Sequence, residues 1–277
     1  MARYAFLGPE GTYSEAALLS LGLPEVEPLA CATTEDVFLA VESGKAQAGV
    51  VPVENSVEGS VNATLDALAF DFDLLIEREI VLDIHHALVA APGVTLADVT
   101  GVVGHPQATA QCRKWLARNL SGKPVTAANS NAEAVRLAVS TPGLAALGPS
   151  LAAELYGGEV LVTDVEDFAG NQTRFLLIGR EHQKRTGDDK TSLALFLHKD
   201  KPGALLMILS EFAYGEINLT KLQSRPTKRA LGDYMFFVDL EGHADDENVQ
   251  LALNCLRLKL RTVKVLGSYP RAARASS

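Results

Sequence analysis

Up to about residue 180 the chain alternates short apolar runs with stretches of helical periodicity. YAFLG (4–8), AGVVPV (48–53), GVVGHP (101–106), VTAAN (125–129) and LAALGPS (144–150) each have the length and make-up of a buried strand. Helical patterns follow them: one from Ser14, then 60–70, 107–119 and 131–139, and a short one for which Ser150 is the expected N-cap. Strand-then-helix repetition implies a mostly parallel α/β sheet. EIVLDIHHALVA (79–90) interrupts it with a long, largely apolar β stretch, after which the pattern resumes. The expectation is two α/β lobes joined by crossing strands, with ligand at the carboxyl ends of strands.

REHQKRTGDDK (180–190) is charged, lacks apolar periodicity and reads as a linker. After it come strand TSLALFLHK, helix 203–214, strands INLTKLQS and YMFFVDLEG, helix 246–260 and strand TVKVLGS. That order is β-α-β-β-α-β, the ferredoxin-like split motif. The expected division is 1–180, a linker at 181–190, and 191–277.

At 277 residues and 47% hydrophobic, the chain can fill two cores. Its 25 basic and 34 acidic residues leave a net charge of −9, which argues against nucleic acid or anionic membrane as partners. Six basic residues between Arg257 and Arg274, with no acid among them, read as a solvated helix face and a frayed terminus. Cys31, Cys112 and Cys255 are far apart and match neither a metal spacing nor a disulfide framework. MARYAFLGPEG enters a strand pattern at once, leaving no room for a signal-peptide core, and no apolar run approaches the ~20 residues that span a bilayer. A cytoplasmic protein with reduced thiols is expected.

Polar residues cluster where strands end. GPEGTYSEAA (8–17) offers free backbone N–H groups at a helix start, suited to a carboxylate or phosphate, or is an ordinary turn capped by Ser14. VVPVENSVEGS (50–60) runs an apolar strand into Glu54, Asn55 and Ser56, and Ser60 is a candidate helix cap. His105, Gln107 and Gln111 start a helix, the two glutamines sharing a face. His85 and His86, read as lying within a strand, point to opposite faces and do not readily share a metal. In GNQTRFLLIG (170–179), Asn171, Gln172, Thr173 and Arg174 load hydrogen-bonding capacity onto a strand mouth. Arg174 can anchor a carboxylate or hold Asp164, Glu166 or Asp167.

GPEGTYSEAA, VPVENSVEGSV, HPQATAQC, NSNAEA and GNQTRF, in this order, together with GALLMILSEFAYGEINLTKLQSRP (203–226), resemble the bacterial prephenate dehydratase family over nearly the whole chain. The resemblance implies a two-lobed catalytic region of the type II periplasmic-binding-protein kind and a ferredoxin-like ACT regulatory domain. It implies loss of carbon dioxide and the ring hydroxyl from prephenate to give phenylpyruvate, in phenylalanine biosynthesis, with no cofactor and no metal. It carries the family's catalytic motif onto Thr173, Arg174 and Phe175, its Glu-Asn-Ser cluster onto Glu54, Asn55 and Ser56, and its helix glutamine onto Gln111. Thr173 would donate to the departing hydroxyl, with Glu54 a rival proton donor should burial raise its pKa. Thr12, Ser14, Ser56, His105 and Asn171 would contact substrate.

Phenylalanine would bind between ACT domains near Gly203, Ala204, Leu205, Asn218, Leu219, Thr220, Ser224 and Arg225, which requires a homodimer or homotetramer. Two departures stand out. Gly104 replaces the serine common before His-Pro, and Gln223 replaces the glutamate of Glu-Ser-Arg-Pro. The alternatives are arogenate dehydratase, with the same chemistry on the amino-acid analogue, and a non-catalytic amino-acid sensor. A chorismate mutase fusion would need an extra helical domain.

Overall fold

In the computed structural model, which describes residues 1–199, 201–228 and 233–272, the apolar runs that begin at residues 4, 48, 101, 125 and 144 each hold a strand. The chain forms two compact units, Met1–Asn62 with Ile80–Phe175, and Ala63–Glu79 with Leu176–Ser277.

The chain begins β1 (Ala2–Leu7), α1 (Tyr13–Ser20), β2 (Val26–Cys31), α2 (Thr34–Glu42), β3 (Ala48–Asn55), β4 (Gly59–Ser60) and α3 (Asn62–Asp66). A π-helical turn, Ala67–Asp71, leads to β5 (Leu75–Asp83), and the chain then enters β6 (Ala87–Ala90). There follow β7 (Gly101–Gly104), α4 (Pro106–Gln111), α5 (Arg113–Asn119), β8 (Val125–Ala127), α6 (Asn131–Ser140), β9 (Leu144–Gly148), α7 (Ser150–Tyr156), β10 (Glu159–Val162) and β11 (Gln172–Gly179). The first sheet has the order β2-β1-β3-β11-β5, with β4 folded back on β3. The second has the order β10-β6-β9-β7-β8. The chain passes from the first sheet to the second after β5 and returns after β10, the crossing expected of two α/β lobes. β1 is parallel to β2 and β3, and β7 to β8 and β9, but β6 runs antiparallel to β9 and β10.

Small side chains set the packing of the second sheet. Ala132, Ala134, Val135 and Ala138 of α6 are buried against Val89, Val103 and Ala146. A Cβ on Gly148 would lie 2.5 Å from Val135 Cγ2 and 3.0 Å from Asn131 backbone O, so only glycine permits this approach. On the other face Leu88, Val102, Leu116 and Leu147 form a second apolar layer.

Several sequence expectations are corrected. The stretch 79–90 is not one strand: it breaks at 84–86, and β5 and β6 join different sheets. His85 and His86 therefore lie outside any strand, the first exposed and the second buried. The helix expected over 107–119 divides at Cys112, whose φ of −105° and ψ of 11° leave the α region. The helix expected over 60–70 starts at Asn62, because Ser60 is spent pairing with Glu54 in β4. Ser14 and Ser150 are not N-caps: Thr12 and Pro149 hold those positions, and neither makes a side-chain capping bond. The sequence reading omits β2 and α2. Pro28 and a polar residue count disguise β2, an edge strand where proline is tolerated. Thr33 and Asp36 form a reciprocal capping box that starts α2.

The second unit holds β12 (Asp189–Phe196), α8 (Ala204–Tyr214), β13 (Leu219–Pro226), β14 (Tyr234–Glu241), α9 (Glu247–Lys259) and β15 (Thr262–Pro270). The order β13-β14-β12-β15 is the ferredoxin-like sheet expected from the β-α-β-β-α-β reading. Leu193, Leu195, Ile208, Phe212, Val238, Val249 and Leu256 form its core. Its buried polar groups are paired: Ser192 Oγ donates to Asp239 Oδ1 (2.6 Å) and bonds Tyr269 Oη (2.6 Å). Lys259, on the basic face of α9, pairs with Glu211. The frayed terminus expected after that face, including Arg274, lies outside the described residues.

Replacing the fully buried Leu147 by alanine is expected to cost about 2–5 kcal/mol through lost burial and the cavity left behind. A fall in the denaturant midpoint with unchanged slope checks this, and a shift below about 1 kcal/mol would mean the layer repacks.

Candidate active site

β3 ends at Asn55, and the conformation of that side chain is dictated locally. Its Oδ1 accepts from the backbone N–H of Val57 (2.9 Å) and Glu58 (3.0 Å), an Asx turn that closes the β3–β4 hairpin. Backbone donors at the oxygen leave Nδ2 to point the other way. Nδ2 donates to Asn171 Oδ1 (2.8 Å) and to Thr173 Oγ1 (2.8 Å). With its oxygen accepting, the Thr173 hydroxyl keeps its own proton for a different partner.

The pattern continues beyond Asn171. Asn171 Nδ2 donates to Gln111 Oε1 (2.9 Å), and Gln111 Nε2 donates to Glu58 Oε1 (3.2 Å). His86 Nε2 lies 3.0 Å from the same Gln111 oxygen, and His86 Nδ1 lies 3.1 Å from Tyr13 Oη. Asn171, Gln111 and His86 are all buried. Backbone ties hold the strand mouth: Ser56 N to Gln172 O (2.8 Å) and Ile84 N to Asn171 O (2.7 Å). Ser56 Oγ also accepts from Gln172 N (2.9 Å).

These residues border a cavity of about 400 Å³, lined by Tyr13, Asn55, Glu58, His86, Gln111 and Thr173 among others. A neighbouring hollow of about 340 Å³ shares Tyr13, His105, Asn131 and Thr173, and adds Thr12, Ser14, Ser130 and Phe175. Both are of small-ligand size. Among the described residues no lysine or arginine lines either hollow. The first turns of α1 and α6 border the second hollow instead, and their backbone N–H groups favour an anion.

The sequence candidates fall into place unevenly. Asn55, Gln111, Asn171 and Thr173 form the hydrogen-bonded chain. His105 lines both hollows and its Nδ1 accepts from Gln107 N (3.4 Å) at the start of α4. Thr12 gives its hydroxyl proton to Leu7 O (3.1 Å), and Ser14 is buried. Phe175 is buried and faces the second hollow. Glu54, Ser56 and Arg174 line neither hollow. The acids considered as partners for Arg174 also have other contacts. Glu166 bonds His85 Nδ1 and His86 N (2.9 Å each), Asp164 bonds His85, and Asp167 takes the backbone N–H of Lys114 and Trp115. His85, Asp164 and Glu166 do gather three potential metal-ligand atoms at the surface, and an imidazole held between two carboxylates accounts for them.

At Gly104 an added Cβ would lie 3.1 Å from Thr109 Oγ1 and 3.3 Å from Leu147 Cβ, so a serine there would need these side chains to give by a few tenths of an ångström. In the second unit, Gly203 (φ 84°) caps α8, and β13 exposes Thr220 and Ser224 on one face while Leu219 and Arg225 turn to the other. The Arg225 guanidinium pairs with Asp66, Nε to Oδ1 at 2.8 Å, and Lys228 Nζ reaches the other oxygen at 2.8 Å.

Tyr13, Glu58, His86 and Asn131 are among the lining residues that sequence reasoning left out of the candidate site. Tyr13 lay inside a quoted motif, and His86 was hidden by reading 79–90 as unbroken β. Burial pushes the Tyr13 hydroxyl well up, with Glu166 and Cys112 adding to the rise. Burial lowers the His86 pKa, against the opposing pull of its bond to Gln111 and the nearby Glu166. Burial, with Glu166 and Asp167 nearby, pushes the Cys112 thiol up to about 12.

The His86 shift has a definite sign. The unfolded chain takes up the imidazole proton near 6.5, and the fold takes it up only at lower pH. Stability therefore falls as pH drops through 6.5 toward the depressed native value, and levels off below it. Thermal melts across this range are expected to show a shallower acid-side loss in His86→Gln than in the parent. Equal slopes would contradict the assignment.

Fold and site together define a small-molecule α/β enzyme unit followed by a ferredoxin-like unit. A family model described as prephenate dehydratase matches residues 4–183. A prephenate dehydratase of Mycolicibacterium vanbaalenii is 42% identical over 286 residues, covering 98% of this chain and 91% of that protein. The solved structure of prephenate dehydratase from Arthrobacter aurescens in complex with L-Phe has a TM-score of 0.92 and 39% identity, covering 100% of this chain and 92% of that one. Another solved structure, described as a novel type of quorum-quenching acylase, has a TM-score of 0.88 and 30% identity over 98% of each chain. The chain belongs to the prephenate dehydratase family.

Proposed function

We propose that this chain converts prephenate to phenylpyruvate by decarboxylating dehydration, in the synthesis of phenylalanine, and that Thr173 assists departure of the ring hydroxyl. The observation that carries the role of Thr173 is the bond from Asn55 Nδ2 to its Oγ1, which leaves the threonine proton to the cavity side. In the reaction the bond from ring carbon to carboxylate breaks and its electrons enter the ring. The C–O bond opposite breaks with its own pair, and the hydroxyl leaves as water after gaining one proton. Aromatisation supplies the driving force, so the protein orients the dianion and stabilises charge on the leaving oxygen. A threonine hydroxyl is too weak an acid to surrender its proton permanently. It donates a fixed hydrogen bond while solvent makes good the net proton.

Substrate carboxylates are held by backbone N–H groups at the starts of α1 and α6, with Thr12, Ser14, His105 and Asn171 around them. Phe175 borders the second hollow with Thr173, and Glu54 and Arg174 lie on β3 and β11 outside the lining of either hollow. The catalytic region is 1–180, joined by the linker 181–190 to an ACT domain at 191–277. The L-Phe bound by the Arthrobacter aurescens relative supports phenylalanine as effector. It would bind near Gly203, Ala204, Leu205, Asn218, Leu219, Thr220 and Ser224, with Arg225 committed to Asp66. An effector that favours one state shifts the active population. A site shared between ACT domains makes the protein a homodimer or homotetramer, working in the cytoplasm.

Phenylpyruvate formation from prephenate, with and without phenylalanine, tests this reading. Turnover that phenylalanine changes is expected. Thr173→Val keeps the shape and removes the donor, and kcat is expected to fall at least about tenfold with KM little changed. Unchanged turnover would refute the role of Thr173, and turnover of arogenate alone would reassign the substrate.

A further inference from the structure

Gln111 Oε1 receives two groups at once, Asn171 Nδ2 at 2.9 Å and His86 Nε2 at 3.0 Å. A carbonyl-type oxygen only accepts, so the proton of this contact resides on His86 Nε2. His86 Nδ1 then carries a lone pair, and it faces the Tyr13 hydroxyl at 3.1 Å. That hydroxyl also lies 2.6 Å from His85 O and shares its one proton between the two acceptors. The backbone of His86 is held as well, its N–H donating to Glu166 Oε2 at 2.9 Å. The ring is buried, and Tyr13 packs edge-on against it at 5.9 Å between centroids.

We propose that His86 is a positioning residue for the dehydration: held by Tyr13 as the tautomer protonated on Nε2, it fixes the Gln111 amide and, through Asn171 and Asn55, the direction in which Thr173 offers its proton. This deepens the reading of Thr173 as donor and rests on it.

The opposite tautomer cannot be absorbed locally. An unprotonated Nε2 would set lone pair against lone pair at Gln111 Oε1. Turning the Gln111 amide over would relieve that, but would place its oxygen against the Glu58 carboxylate and its NH2 against Asn171 Nδ2. Asn171 would have to turn in response, bringing its NH2 against Asn55 Nδ2. Asn55 is anchored by the N–H groups of Val57 and Glu58. If it gave way, its oxygen would face Thr173 and capture the hydroxyl proton that the reaction needs. Burial, which keeps the ring neutral, serves the same end. The titratable groups around the ring are Tyr13 from α1, Glu166 from the segment before β11, and the neighbouring His85.

The test uses the full chain and prephenate as substrate. His86→Leu removes the donor, and its kcat is expected to fall at least about tenfold while KM stays within about threefold. His86→Gln places an amide N–H near the position of Nε2, and its kcat is expected to recover to within about threefold of the parent. Nitrogen-15 NMR of the parent protein, labelled at histidine, is expected to show His86 neutral and protonated on Nε2. This readout does not depend on whether any variant folds. Full turnover in His86→Leu, a His86→Gln no better than His86→Leu, or a proton on Nδ1 would each overturn the proposal. Thr173→Val measured alongside separates the two claims. A slow Thr173→Val with an unimpaired His86→Leu removes only the role of His86, whereas a fast Thr173→Val removes the donor reading beneath it.

Discussion

The site depends on the Asx turn at Asn55. Two backbone N–H groups, of Val57 and Glu58, claim the Asn55 oxygen, and everything downstream follows from that. The Asn55 amide must donate toward β11. Asn171 must accept with its oxygen and donate with its nitrogen, and Gln111 must do the same one step further on. Each amide in the chain has one orientation that satisfies all its neighbours. A mutually satisfied, partly buried network of this kind favours a single arrangement, because a reversal leaves the buried groups of Asn171, Gln111 and His86 facing like partners. Thr173, at the end of the chain, inherits a defined hydroxyl direction from the Asn55 amide that donates to its oxygen.

The same economy marks how the site treats charge. The chain is acidic overall, and neither hollow is lined by a lysine or arginine among the described residues. On the proposed reading, anion binding falls to the helix starts at α1 and α6, which the βα topology delivers to the carboxyl ends of β1 and β8. Fixed dipoles of this kind need no reorganisation as charge moves from a carboxylate into a ring and onto a leaving oxygen.

Much of this was legible in the sequence, for reasons that can be named. The alternation of apolar runs and helical patterns fixed the two α/β sheets, and the ferredoxin-like order of the second unit followed from strand and helix counts alone. Asn55, Asn171 and Thr173 stood out because amides and hydroxyls at strand mouths are costly unless paired or used, and Gln111 through its helix face shared with Gln107 and the family resemblance. What was hidden depended on three-dimensional pairing. β2 is an edge strand with a proline, so its periodicity is weak. The break at 84–86 is invisible in an apolar stretch, yet it is what turns His86 inward and His85 outward. Glu54 and Arg174 carry the most conspicuous charges of their motifs, but strand alternation sets them apart from Asn55 and Thr173, away from the cavity lining. Arg225, which looks like a ligand anchor in sequence, is paired with Asp66.

The proposed chemistry depends on which way the Thr173 proton points. Neutron diffraction from crystals exchanged into heavy water would locate it directly, together with the deuterons on Asn55 Nδ2. Deuterium on Thr173 Oγ1 directed into the cavity, with both Asn55 amide deuterons on the Asn171 and Thr173 side, is the predicted result. A Thr173 deuteron directed at Asn55, with the Asn55 oxygen facing it, would contradict the account.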